Sequence, residues 1–136
     1  MTEFVVRPIG VVRSDIKDPG DAPKQGALTG QEAEIVIDPA FLAAMDGLDP
    51  DRGKIIVLCW MHDADRDRLK VHPRSREDRP ERGVFSTRSP HRPNPISLHT
   101  VTLLSVAGNV LRVRGMDAID GTPVLDIKPH SPGLDD

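Results

Sequence analysis

Between Arg82 and Leu98 the chain reads RGVFSTRSPHRPNPISL, which sets Arg82, Arg88, Arg92 and Asn94 among Pro90, Pro93 and Pro95. Guanidinium groups are planar, permanently charged donors suited to carboxylates and phosphates, so the chemistry on offer is anion recognition. Each proline fixes φ at about −65° and biases the preceding residue toward extended backbone. Ser89, Arg92 and Asn94 therefore lie in stiff, non-helical backbone that cannot pair like a central strand. Such a loop has little entropy left to lose, so side chains mounted on it are pre-aimed. A basic surface linker is the plainer account of a Pro/Arg loop. The density of Arg, Ser, Thr and Asn among these prolines favours a binding loop.

Other chemistries find less support. His62, His72, His91, His99 and His130 show no i, i+4 helical spacing and Cys59 has no partner cysteine, so a dedicated metal site is not expected. Gly-x-Gly occurs nowhere, which removes the dinucleotide fingerprint and the P-loop. Composition leaves room for a Ser-His-Asp hydrolase, but Ser89 sits between Arg88 and Pro90 rather than on a strand-to-helix elbow. Aromatic residues are 3% and tyrosine is absent, so the stacking sheet of a typical RNA-binding domain cannot be built. Any nucleic-acid contact is expected to run through Arg and Lys to phosphate.

The charge distribution suits a phosphate-bearing partner and equally a solvated, mobile loop. Residues 61–92 hold nine basic and six acidic side chains, a local excess on a chain whose net charge is −3. At 136 residues with 29% charged, the chain reads as one soluble globular domain spanning 1–136. No apolar run approaches the ~18 residues of a membrane span. MTEFVVRPIG lacks a signal-peptide pattern, and the lone Cys59 lies in an apolar run, so a reducing, cytoplasmic setting is expected.

The elements that must carry the loop are mostly strands. Phe4–Val12 reads as an edge strand broken at Pro8 and Gly10, and Ala33–Ile37 as a short strand. Asp38 and Pro39 predict the start of a helix of about two turns, with Phe41, Leu42 and Met45 on one face and Gly47 closing it. Lys54–Met61 is the most apolar run and a central strand. Thr100–Val106 and Val110–Val113 flank the hairpin signal Gly108-Asn109, and Val124–Ile127 is a last strand after the Asp120–Pro123 turn. Short strands, frequent turns and few helices predict an all-β fold, an antiparallel barrel or sandwich with one or two short helices.

Gly83–Ile96 (GVFSTRSPHRPNPI) resembles the signature of the TsaA-like family, S-adenosylmethionine-dependent tRNA methyltransferases acting on N6 of threonylcarbamoyl-adenosine beside the anticodon. Pro8–Ser14 (PIGVVRS) and Asp120–Pro129 (DGTPVLDIKP) extend the likeness to both ends. The resemblance implies a small single-sheeted antiparallel β-barrel with one or two short helices, acting as a homodimer with the cofactor bound near the subunit interface. Matched motif by motif, it places Pro23, Lys24, Gln25, His62, Asp63, Arg88, Leu98, Ile119, Asp120, Gly121 and Thr122 at the cofactor. His62, Asp63 and Asp126 are candidates for taking a proton or orienting the amine, and Arg92, Asn94 and Lys128 for holding the substrate. The chain departs from the family at His130, Ser97 and His99, and longer bacterial members carry a further C-terminal domain. A small-molecule acceptor, or a module that binds S-adenosylmethionine without turnover, stays open beside tRNA methylation.

Overall fold

The computed structural model describes residues 2–17, 31–72 and 78–135. Six strands close into a barrel: β1 (Gly10–Arg13), β2 (Glu32–Ile37), β3 (Lys54–Trp60), β6 (Ile96–Ala107), β7 (Val110–Arg114) and β8 (Pro123–Pro129), in the order β1-β2-β7-β6-β3-β8. β4 (Lys70–Val71) and β5 (Arg82–Gly83) form a separate antiparallel pair. The chain divides into two compact units, Met1–Cys59 with Leu98–Asp136, and Trp60–Ser97.

Alternation builds the barrel interior. Val12, Ile35, Val57, Val101, Leu103, Leu111, Val113 and Val124 point inward and are buried, while Glu34, Arg112 and Arg114 on the same strands face outward. Complete burial of one such aliphatic side chain contributes about 1.5–3 kcal/mol. Register irregularities between Leu58 and Cys59, and between Leu103 and Ser105, supply the local bends that closure requires. The Gly108-Asn109 turn joins β6 to β7 as expected, and the Asn109 side chain donates to the Ile37 carbonyl at 2.7 Å.

Two expectations about the elements change. The first strand is shorter than its β-branched run suggests: pairing starts at Gly10, and Phe4 and Val5 are exposed. Pro8 cannot donate to a ladder, which halts the strand there. Nor is β1 an edge, since β2 and β8 pair with it on either side. The helix after Asp38 forms, with Asp38 Oδ1 accepting from Ala40 N at 2.9 Å, but as a 3-10 segment, Pro39–Met45. Phe41 and Met45 pack on the core, whereas Leu42 stays exposed. In the unit after β3, β4 pairs with β5, Lys70 standing opposite Gly83 and Val71 opposite Arg82.

Gly10 is required by a close approach. A Cβ built there would lie 2.4 Å from the Val36 carbonyl oxygen, on a strand held by both β1 and β7. Gly10→Ala is expected to destabilise the barrel by about 1–3 kcal/mol through overpacking. A urea unfolding midpoint equal to that of the wild type would contradict this.

Candidate functional site

The proline-rich loop lies in the unit Trp60–Ser97, and its conformation is set by side chains that replace missing backbone donors. Three prolines leave neighbouring carbonyls without ladder partners, and buried or half-buried carbonyls need donors. Arg92 supplies them: Nη1 donates to the carbonyls of Thr87 (3.1 Å) and Ser89 (2.9 Å), and Nη2 to that of Val84 (3.0 Å). Thr87 Oγ1 accepts from Ser89 N at 3.2 Å, and Ser89 Oγ accepts from His91 N at 3.2 Å. Downstream, Arg66 Nε donates to the Pro93 carbonyl at 2.7 Å and its guanidinium stands 5.1 Å from the Trp60 ring centroid. Met61 N donates to the carbonyl of Pro95, a fully buried residue.

Against that bracing, the expected site residues of this unit fall into different situations. The Arg92 fork is turned inward on its own loop. Asn94 is exposed, and its Oδ1 receives a long 3.4 Å hydrogen bond from Arg66 Nη2. Arg88 is exposed, and the described residues give its guanidinium no hydrogen bond or ion pair. His62 and Asp63 follow β3 as exposed neighbours; at 3.7 Å between Nε2 and Oδ1 they are close charges rather than a hydrogen bond.

The barrel unit holds the second group. Ile119–Thr122 is a tight turn in which Thr122 Oγ1 donates to the Ile119 carbonyl at 2.6 Å and Gly121 takes φ 88°. Its backbone is tied to the segment leaving β1: Gly121 N to Val12 O (2.8 Å), Val12 N to Thr122 O (2.9 Å) and Asp120 N to Ile16 O (2.7 Å). Buried Ser14 completes the join, with Oγ donating to the Ala118 carbonyl at 2.8 Å. Asp120 Oδ1 accepts from Ser14 N at 3.0 Å and Oδ2 pairs with Lys17 Nζ at 3.0 Å. The chain from Lys17 leads on to Pro23, Lys24 and Gln25, which lie outside the described residues. Leu98 is half-exposed on β6, and Asp126 and Lys128 form a surface ion pair at 2.9 Å on β8.

The Lys17 ammonium, and then the Ser14 N–H, hold the Asp120 carboxyl below the usual carboxylate range. A lowered folded-state value means the stabilisation is fully present above the unfolded-state value and is lost as pH falls through the folded one. Asp120→Asn is therefore expected to flatten the acid limb of stability against pH, read by urea unfolding at stepped pH. An unchanged acid limb would contradict the assignment.

Sequence reasoning missed Arg66, Trp60 and a pair in the barrel unit, His99 and Asp117. His99 Nδ1 lies 3.0 Å from Asp117 Oδ1, joining the strand of Leu98 to the segment before Ile119. Neither partner carries a spacing signal, because β6 and the segment after β7 meet only in the folded barrel. Among the described residues, no three His, Cys, Asp or Glu side chains gather as metal ligands, and no helix is long and apolar enough to cross a membrane.

Comparison with known proteins matches the assembled pattern. Residues 11–136 match the family model described as the tRNA-methyltransferase O N-terminal domain. A "Probable S-adenosyl-L-methionine-binding protein" of Methanothermobacter thermautotrophicus is 52% identical over 98% of this chain and 94% of its own length. An "S-adenosyl-L-methionine-binding protein" of Archaeoglobus fulgidus is 47% identical over 97% and 93%. A crystal structure of TrmO from P. aeruginosa superposes with a TM-score of 0.81 at 32% identity, covering all of this chain but only 58% of the solved one. The chain therefore spans under two thirds of that solved protein, and this small barrel with its proline-braced loop belongs to the tRNA-methyltransferase O N-terminal domain family.

Proposed function

We propose that the chain binds S-adenosylmethionine and transfers its methyl group to N6 of a threonylcarbamoyl-adenosine next to the tRNA anticodon, as a cytoplasmic homodimer with the cofactor near the interface. The observation that carries the reading is the braced loop that leaves Arg88 outward and unengaged among the described residues. The names of the archaeal relatives support the cofactor, and the family model supports tRNA as its setting.

The residues suit such a ligand. Arg88 offers a fork to a carboxylate, and half-exposed Leu98 offers an apolar surface to a nucleoside base. The turn Ile119–Thr122 is held to one shape by its cross-bonds, and Pro23, Lys24 and Gln25 complete the proposed contact set. When bound, S-adenosylmethionine supplies an activated methyl on a sulfonium. The chain's work is then to fix the acceptor nitrogen in line and exclude water, which can contribute roughly 7–11 kcal/mol at best. The acceptor's proton must leave, and imidazole is the usual side chain for such a transfer, which puts His62 before Asp63. Asp126 already engages Lys128 and the Ile127 N–H, so its proposed part is orienting the amine. Arg92, Asn94 and Lys128 support the substrate side, Arg92 by shaping the loop.

Incubation with methyl-labelled cofactor and total tRNA tests this. Label is expected in RNA that carries the threonylcarbamoyl group and not in RNA lacking it. Confirmed cofactor binding without label in any RNA would refute tRNA as substrate. Label in a metabolite extract would then point to a small acceptor, and no turnover at all to a binding module.

A further inference from the structure

Phe85 is 82% exposed, although its neighbour Val84 is 2% exposed and anchors the same 3-10 turn, Val84–Ser86. Its carrier is held from several directions. Val84 N donates to the Leu69 carbonyl at 3.0 Å, Thr87 N to the Val84 carbonyl at 3.0 Å and Ser86 Oγ to the Gly83 carbonyl at 2.8 Å. Arg92 Nη2 donates to the Val84 carbonyl at 3.0 Å. A large ring is thus presented to solvent on backbone that does not yield to hide it. Rigid aromatic carriers of this kind are what low-entropy binding requires.

Two cations are carried on the short hairpin that leads into this turn, beside the acidic Glu81. Arg82 precedes Phe85 by three residues on β5, and β4 brings Lys70 opposite Gly83. Both are exposed, and the described residues give neither side chain an ion pair. The unit as a whole, residues 60–97, carries nine basic against six acidic side chains on a chain that is net acidic. A protein partner of ordinary composition gains little from two cations that no described residue pairs, carried close in the chain to one exposed ring. A polyanion with exposed π-faces fits both features at once.

We infer that Phe85 is a base-stacking anchor for a single-stranded stretch of the RNA substrate, with Arg82 and Lys70 holding its phosphates. The inference rests on the RNA reading above and adds to it the surface that grips the strand. One ring on a turn is not the multi-aromatic sheet whose absence the composition dictates, yet one base needs only one ring. Unstacked loop nucleotides expose their faces, whereas a duplex hides them. The contact therefore discriminates loop from helix.

Fluorescence anisotropy tests it with a labelled RNA hairpin bearing a single-stranded loop and with a duplex of equal length. Phe85→Ala is expected to weaken hairpin binding on the order of ten- to a hundred-fold and leave duplex binding unchanged. Phe85→Trp should stay within about threefold of wild type, because any aromatic face stacks. The Arg82→Ala, Lys70→Ala double variant should weaken hairpin and duplex alike and lower the hairpin's salt slope by about 1.4, the value for two phosphate contacts on a single strand. Cofactor affinity by calorimetry and oligomeric state by light scattering should match wild type for Phe85→Ala.

Unchanged hairpin affinity in Phe85→Ala would overturn the inference, and so would a loss matched by lost cofactor affinity or altered oligomeric state. Those last outcomes would assign the ring to the pocket or to a protein interface. Wild-type protein that methylates tRNA while Phe85→Ala binds it normally would sink this inference alone. Failure of wild type to bind either RNA would overturn the RNA reading together with it.

Discussion

An Arg92→Ala protein is expected to keep its barrel and lose its activity, by a hundredfold or more, because the loop that carries Arg88 loses its shape. One guanidinium satisfies the carbonyls of Val84, Thr87 and Ser89, spanning the turn and the first half of the proline segment. Hydrogen bonds from a charged donor contribute about 1.5–3 kcal/mol each, and these bonds are half-buried and not additive. A local destabilisation of about 2–4 kcal/mol is the reasonable scale. Misplacement of a positioning group by 1 Å can cost about a hundredfold in rate. Amide hydrogen exchange should report the cause directly, with faster exchange at Thr87, Ser89 and His91 and no change in the barrel strands. Arg92→Lys should not rescue, since one ammonium cannot reproduce a planar fork across three acceptors. Wild-type exchange and wild-type activity in Arg92→Ala would show that the prolines alone hold the loop.

That role explains which parts of this chain can be read from its residues in order and which cannot. The barrel is legible because it rests on local alternation: Leu111 and Val113 go inward and Arg112 and Arg114 outward, as a half-exposed strand demands. The Gly108-Asn109 turn is legible because its backbone requires those residue types. Phe4 to Val6 misleads, since β-branched residues favour a strand only when a neighbour is available to pair. Phe4 and Val5 remain almost fully exposed.

Side-chain employment is the least legible layer. Arg88 and Arg92 are the same residue type four positions apart, and nothing in the order of letters says that one turns in and the other out. The decision belongs to backbone that the prolines bend, which brings three carbonyls to Arg92 and, among the described residues, none to Arg88. Arg66 reaches the Pro93 carbonyl from 27 residues away and His99 meets Asp117 across the barrel unit. Such pairings are properties of the assembled fold. The turn at Asp120–Pro123 is legible in its residues, but its anchoring by buried Ser14 and by Lys17 is not.

Arg88→Ala is the complementary experiment. Loss of a charge-assisted fork to a carboxylate is expected to weaken S-adenosylmethionine binding about ten- to a hundredfold by calorimetry, the equivalent of about 1.5–3 kcal/mol. Because Arg88 is exposed and braces nothing among the described residues, its removal should leave hydrogen exchange of Thr87, Ser89 and His91 at wild-type rates. The two arginine variants are thereby separable: one loses affinity with loop order intact, the other loses loop order first and affinity as its consequence. Arg88→Lys should recover part of the affinity and show a steeper salt dependence, since a point charge without the fork relies more on Coulomb attraction. Unchanged cofactor affinity in Arg88→Ala would detach the carboxylate from this loop. The rigidity conferred by Arg92 would then have to serve the RNA strand alone, a division that the hairpin-binding measurements on Phe85 would resolve.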